Sequence, residues 1–126
     1  MPASLVLVGA GKMGGAMLRG WLALGLEGAR IVGYGATSKS TTVLNYCAIG
    51  ADLVEFVSDT TEAKQGLYTP GTHIPVASPA RFAARYPEYA LLFAWNHAAE
   101  IFAKERAFRD AGGRWISYVP EVSVLD

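Results

Sequence analysis

The chain has 126 residues, 52% hydrophobic and 17% charged, with 11 basic and 11 acidic side chains and no formal net charge. That is enough to bury one core, without the basic stripe of a nucleic-acid binder or the cationic amphipathic helix of a membrane binder. A single cysteine, Cys47, excludes an internal disulfide and fits a reducing, cytoplasmic compartment, and there is neither a secretion signal nor a membrane-length apolar stretch.

Residues 5–8 read as a buried strand. The run Val6-Leu7-Val8-Gly9-Ala10-Gly11-Lys12-Met13-Gly14 then turns on glycines into a helix over about 12–26, where Met13, Met17, Trp21 and Leu24 recur at helical spacing. Residues 30–34 form the next strand. Here Ile31-Val32-Gly33-Tyr34-Gly35-Ala36-Thr37-Ser38-Lys39 makes a second strand–turn–helix opening. Ser40 or Thr41 is expected to cap a helix that carries Val43, Leu44 and Cys47 inward and stops at Gly50. A strand over 53–57, a polar loop over 58–74 with a Pro70-Gly71 turn, and a short strand over 75–77 follow. Ser78 caps a helix with Pro79 in its first turn, where proline is best tolerated. Residues 91–95 form a strongly apolar strand. A helix over 96–111 then pairs Glu100 with Lys104 and Glu105 with Arg109 on its outer face. Gly112-Gly113 ends it, and 115–119 is the last long strand. This alternation predicts one domain over residues 1–126. Its fold is a three-layer, Rossmann-like doubly wound α/β sheet of about six mostly parallel strands.

Strand 5–8 is expected to pair in parallel with 30–34 through a right-handed crossover. Strand 53–57 then lies on the other side of 30–34, and 91–95 lies beside 5–8. That order puts the switch point, and with it the ligand crevice, above residues 9–14. In the alternative, 91–95 pairs directly with 30–34 and the first strand goes to an edge.

Both glycine turns can present backbone N–H groups and a helix N-terminus to a phosphate. Gly9, Ala10, Gly11, Lys12, Met13 and Gly14 are the candidate cofactor-binding residues, and the turn keeps all three glycines of the dinucleotide fingerprint. Ser38 and Lys39 can meet a 2′-phosphate. No Asp or Glu near residues 34–39 is placed to hold a ribose diol. Gly33, Gly35, Thr41 and Thr42 read as an anion cup or as a capped helix. Asn45, His73, Trp95 and Asn96 complete the substrate-side candidates. Trp95 and Asn96 follow a central strand, where open α/β sheets bind ligands. Asn96 also suits a helix cap, and His73 and His97 suit a loop and a helix start. Tyr34, Tyr46 and Tyr68 can stack on a base, and Cys47 packs in the core. Asp52, Glu55 and Asp59 surround a strand without ligand spacing to a histidine, so no metal site is expected. No catalytic Ser/His/Asp or Cys/His constellation stands out.

Two resemblances carry further implications. Residues 1 to about 31, with Gly9-Ala10-Gly11-Lys12-Met13-Gly14-Gly15-Ala16-Met17 and Leu18-Arg19-Gly20-Trp21-Leu22, resemble the start of pyrroline-5-carboxylate reductase. In that family the loop binds the pyrophosphate of NAD(P)H, which implies NADP or NAD as a cofactor. Residues from about 31 to 125 resemble the C-terminal domain of SAM-dependent C-methyltransferases acting on nucleotide-linked deoxysugars. The matching stretches include Val32-Gly33-Tyr34-Gly35-Ala36-Thr37-Ser38-Lys39, Pro70-Gly71-Thr72-His73-Ile74-Pro75-Val76, Leu92-Phe93-Ala94-Trp95-Asn96-His97 and Gly112-Gly113-Arg114-Trp115. That resemblance implies a domain that helps enclose a nucleotide-sugar. The family's zinc-binding cysteine cluster and SAM-binding domain have no counterpart in these residues.

The two together imply a chimera, engineered or natural, joined at a shared strand. The expected function is a nucleotide-binding-type module without a complete active site. The alternatives are a reductase fragment, a sugar C-methyltransferase C-terminal domain, or a purely structural domain. The expected partner is a small nucleotide or nucleotide-sugar, with a homo-oligomer left open.

Overall fold

The computed structural model describes residues 6–7, 20, 28–117 and 122–125. In chain order the elements are β1 (Val6–Leu7), β2 (Ile31–Tyr34), α1 (Ser38–Tyr46), β3 (Val57–Ser58), β4 (Val76–Ala77), α2 (Pro79–Ala84), β5 (Tyr89–Leu92), α3 (Ala98–Lys104), α4 (Arg106–Asp110), β6 (Arg114–Ser117) and β7 (Val122–Leu125). Short 3-10 turns lie at Glu62–Lys64 and Trp95–His97. The helix expected over 12–26 and the first glycine turn lie outside the described residues, apart from the backbone of Gly20.

Strand side chains alternate between two cores on opposite faces of the sheet. Ile31, Leu91 and Ile116 join Leu44, Ile49, Val54 and Ile74 on the face that α1 covers. Val32, Tyr34, Ala90, Leu92 and Trp115 join Phe82 of α2 and Phe108 of α4 on the other. The second core is aromatic. Tyr34 meets Phe82 and Trp115 edge-on, with ring centroids 5.5 and 5.3 Å apart.

The sheet has seven strands in the order β1-β7-β6-β5-β2-β3-β4. The strands from β6 to β4 run parallel, and β7 is antiparallel to both β6 and β1. The expected fold class therefore holds, and β3 flanks β2 as expected, but the first strand does not flank its other side. β5 pairs with all of β2, from Ile31 opposite Tyr89 to Tyr34 opposite Leu92. β1 lies at the far edge. Every residue of β2 is buried, and β5 brings buried Ala90, Leu91 and Leu92 against its whole length. The chain thus winds one way from β2 to β3 and β4, and the other way from β2 to β5 and β6. The switch point falls between β2 and β5. At the opposite edge, the backbone of Val76 in β4 is closed off by Gly66 and Leu67, through hydrogen bonds of 2.9 Å each.

Local corrections follow from the same packing. α1 begins earlier than expected and is capped by Thr37, whose hydroxyl accepts from the Ser40 N–H at 3.3 Å. Gly35, with φ +101, turns the chain at once after β2 and leaves no room for a later cap. Ser40 is instead buried and donates to the Thr37 carbonyl at 2.7 Å. The third and fifth strands end or begin differently, at Val57–Ser58 and Tyr89–Leu92. The single helix expected over 96–111 is interrupted at Glu105 (φ −102, ψ 34). There the Glu105 carboxylate accepts a hydrogen bond from the Tyr34 hydroxyl. Arg109 donates to the carbonyls of Gly113 and Leu125, at 3.2 and 3.3 Å. Strand β7 has no counterpart in the sequence reading.

Candidate functional site

In doubly wound sheets ligands bind beyond the carboxyl ends of the strands at the switch point. Here that place lies above residues 35–37 after β2 and Ala94 after β5, not above residues 9–14. A crevice of about 260 Å³ opens there, lined by Gly35, Thr37, Asp59, Lys64, Ala94 and Lys104 among others. Beside it, a groove of about 240 Å³ runs between α1 and the loop before β4, past Thr41, Leu67 and Tyr68. Thr37 and Lys64 belong to both. The Lys64 ammonium donates to the Ala36 carbonyl at 2.7 Å and so stands between them.

Asp59 organises the crevice floor. One carboxylate oxygen accepts from the Ala36 N–H at 2.7 Å, and the other accepts from the Thr61 N–H at 2.7 Å. Its own carbonyl accepts from Gln65 Nε2 at 2.9 Å, which fixes the loop that carries Lys64. A third surface lies on the outer side of α1. Ser38, Lys39, Thr42, Val43 and Trp95 form an open shelf, and Lys39 Nζ sits 4.5 Å from the centre of the Trp95 ring.

The expected site residues separate accordingly. Gly9, Ala10, Gly11, Lys12, Met13 and Gly14 lie outside the described residues. Gly35 lines the crevice, Thr41 the groove, and Ser38, Lys39, Thr42 and Trp95 the shelf. Gly33 is no part of a cup. It lies inside the sheet, where a Cβ would come within 2.8 Å of Phe93 Cε2 and 3.0 Å of Val57 Cγ2. Its N–H is held by the Phe56 carbonyl at 2.9 Å. Asn45 pins the Pro70-Gly71 turn, donating to the carbonyls of Thr41 and Pro70 at 2.8 and 2.9 Å. His73 is exposed, at φ +54, in the loop after that turn, and lines neither crevice nor shelf. Asn96 is exposed within the 3-10 turn and caps no helix. Tyr68 borders the groove at 62% exposure, whereas Tyr34 is buried.

The sequence reading missed Asp59, Lys64 and Lys104 as crevice residues. A signal for Asp59 was present. It stands at the end of the strand that follows the Gly35 turn and its helix, roughly where a dinucleotide fold carries its ribose-binding acid, about 20 residues past the glycines. With residues 5–8 taken as the opening strand, the acid was sought one strand too early, near residues 34–39. Among the described residues no group of three or more His, Cys, Asp or Glu is arranged to hold a metal. Among the same residues no helix is long and apolar enough to cross a membrane.

The described architecture is that of a Rossmann-like, doubly wound α/β domain with a polar crevice at its switch point. The chain belongs to the C-methyltransferase C-terminal domain family, which matches residues 12–120. It is also similar to the C-methyltransferase NovU of Streptomyces niveus, with 43% identity over 99 residues. That alignment takes in 79% of this chain and 24% of NovU, so the chain spans about a quarter of its relative's length. The family match begins at residue 12, well before the joint expected near 31. Neither comparison supports a reductase-derived segment or an engineered junction, and the NAD(P) reading loses its basis with them.

Proposed function

We propose that this chain is a non-catalytic, substrate-enclosing domain of a nucleotide-sugar C-methyltransferase. On this reading residues 1–126 act as one domain, and other parts of the methyltransferase supply the methyl donor and the reacting groups. The ligand is a small nucleotide-sugar, met by the crevice and by the Lys39–Trp95 shelf. The observation that carries the reading is the crevice itself. In a chain of this family, Gly35, Asp59, Lys64 and Lys104 gather at the β2/β5 switch point. The shelf adds an aromatic ring and a cation at the adjacent rim. Neither nucleic acid nor a membrane is a partner on this reading, and the place of action is the cytoplasm.

The test is titration of the ¹⁵N-labelled chain with a thymidine diphosphate sugar, followed by amide spectra. Saturable shifts are expected at Gly35, Thr37, Lys39 and Trp95. NADPH serves as the comparison and is expected to bind more weakly at these positions. No saturable shift from the nucleotide-sugar, or shifts confined to the far end of the sheet, would refute the proposal.

A further inference from the structure

The switch-point turn carries its own anion. In a dinucleotide-binding turn the N–H groups after the first strand are open and point at a pyrophosphate. Here the Gly35 N–H is held by the Ser58 carbonyl at 2.8 Å. The Ala36 N–H donates to Asp59 Oδ2 at 2.7 Å, and the Thr61 N–H donates to Asp59 Oδ1, also at 2.7 Å. The Lys64 ammonium is directed to the Ala36 carbonyl. The Gly35 and Ala36 donors of the turn are therefore engaged, and the charge that accepts from the Ala36 N–H is the Asp59 carboxylate. A phosphate arriving there would have to break charge-assisted hydrogen bonds and settle against a carboxylate. The rest of the wall is hydroxyl and apolar surface from Thr37, Thr60, Thr61, Ala94 and Ile101, with the Lys104 side chain among them.

We propose that Asp59 is the specificity-determining residue of the crevice. It occupies the seat that a phosphate takes in related turns. The crevice thus admits an uncharged, hydroxyl-bearing part of its ligand beside the turn and keeps the ligand's phosphates off the Ala36 and Thr61 amides. The ligand's identity rests on the function proposed above; the exclusion of phosphate does not. Carboxylates accept well from sugar hydroxyls, so the same group that repels phosphate favours a polyol.

Inorganic pyrophosphate is the probe. In the wild-type chain the Ala36 and Thr61 amides are expected to show no saturable response to it. In Asp59→Ala both N–H groups are released beside Lys64. Half-saturation at those amides should then fall at least about tenfold below any wild-type value, the scale of one removed like-charge contact. Asp59→Asn keeps an acceptor for the turn and removes the charge; it serves if Asp59→Ala does not fold, with the same expected direction. A saturable wild-type response at Ala36, or a folded variant that gains none, would overturn the proposal. A thymidine diphosphate sugar is run in parallel and should move the wild-type turn amides that pyrophosphate leaves still. If it binds nowhere while the pyrophosphate contrast stands, the ligand assignment fails and the exclusion survives. If it binds but the wild-type turn answers pyrophosphate equally, the exclusion fails alone.

Discussion

The Tyr34 hydroxyl donates to the Glu105 carboxylate, tying the end of β2 to the break between α3 and α4. Tyr34 also borders the crevice and stacks edge-on against Phe82 and Trp115. One side chain thus joins the switch-point strand, the aromatic core and the interrupted helix. Tyr34→Phe removes only the hydroxyl and leaves the half-buried Glu105 without that donor. A loss of about 1–2 kcal/mol is expected in urea unfolding. Burial and the Glu105 carboxylate both push the Tyr34 phenol up. The folded chain therefore favours the protonated phenol. This stabilisation is complete below the ordinary tyrosine value of about 10 and is lost as pH rises toward the folded value. Above pH 10 the wild type should lose stability faster than Tyr34→Phe.

At the opposite end of the sheet, Arg30 grips Glu55 through two hydrogen bonds, of 2.8 and 3.1 Å. The same guanidinium donates to the carbonyls of Arg85 and Tyr86, and the Arg30 N–H donates to Glu88 at 2.8 Å. The bond from Arg30 holds the Glu55 carboxyl below its usual range. Its contribution is present above the ordinary glutamate value of about 4.3 and is lost as pH falls through the depressed folded value. Glu55 is 40% exposed, so Glu55→Gln should cost less than about 1 kcal/mol at neutral pH. Thermal melts should show that difference closing at pH values well below 4. Arg30→Ala removes the carbonyl contacts as well and should cost more.

Gly33 has no room for a methyl group, with Phe93 and Val57 both against its Cα face. Gly33→Ala should destabilise by about 1–3 kcal/mol through overpacking. Shortening the fully buried Phe93 to Leu in the same chain should return part of that loss. Independent, additive costs in the double-mutant cycle would show that the two side chains do not share this space.

The Lys39–Trp95 shelf gives a prediction that separates binding from folding. Trp95 is 40% exposed. Trp95→Ala should change stability by no more than about 0.5–1 kcal/mol, near the range of surface positions and of an exposed cation–π pair. The same variant should weaken a thymidine diphosphate sugar by about tenfold or more, the scale of a lost base–aromatic stack. Lys39→Ala should weaken it less. Calorimetric titration of the folded variants distinguishes the two effects.

Much of this molecule is local information, and that part was legible in the residues. Short apolar runs marked β2 and β6 and overlapped β5, and Pro79 after Ser78 marked the start of α2. Gly112-Gly113 closed α4, where the Phe108 ring covers the place a Gly113 side chain would take. The family resemblance from residue 31 onward was likewise carried by contiguous runs. Strand order was not local. Short apolar runs say that 5–8, 30–34 and 91–95 are strands, but not which of them touch, because that depends on which apolar faces cover one another. The Glu105 carboxylate at the helix break meets Tyr34, 71 positions away. Asp59 could be recognised as a crevice residue only once β2 was known to open the doubly wound sheet. The sequence by itself determined most of the strands and helices and the methyltransferase-domain resemblance from residue 31 onward. Tertiary structure decided the neighbours, and through them where the crevice lies and which carboxylate fills its turn. Side-chain patterns encode burial along one segment, whereas a site is made where segments far apart in the chain are brought together.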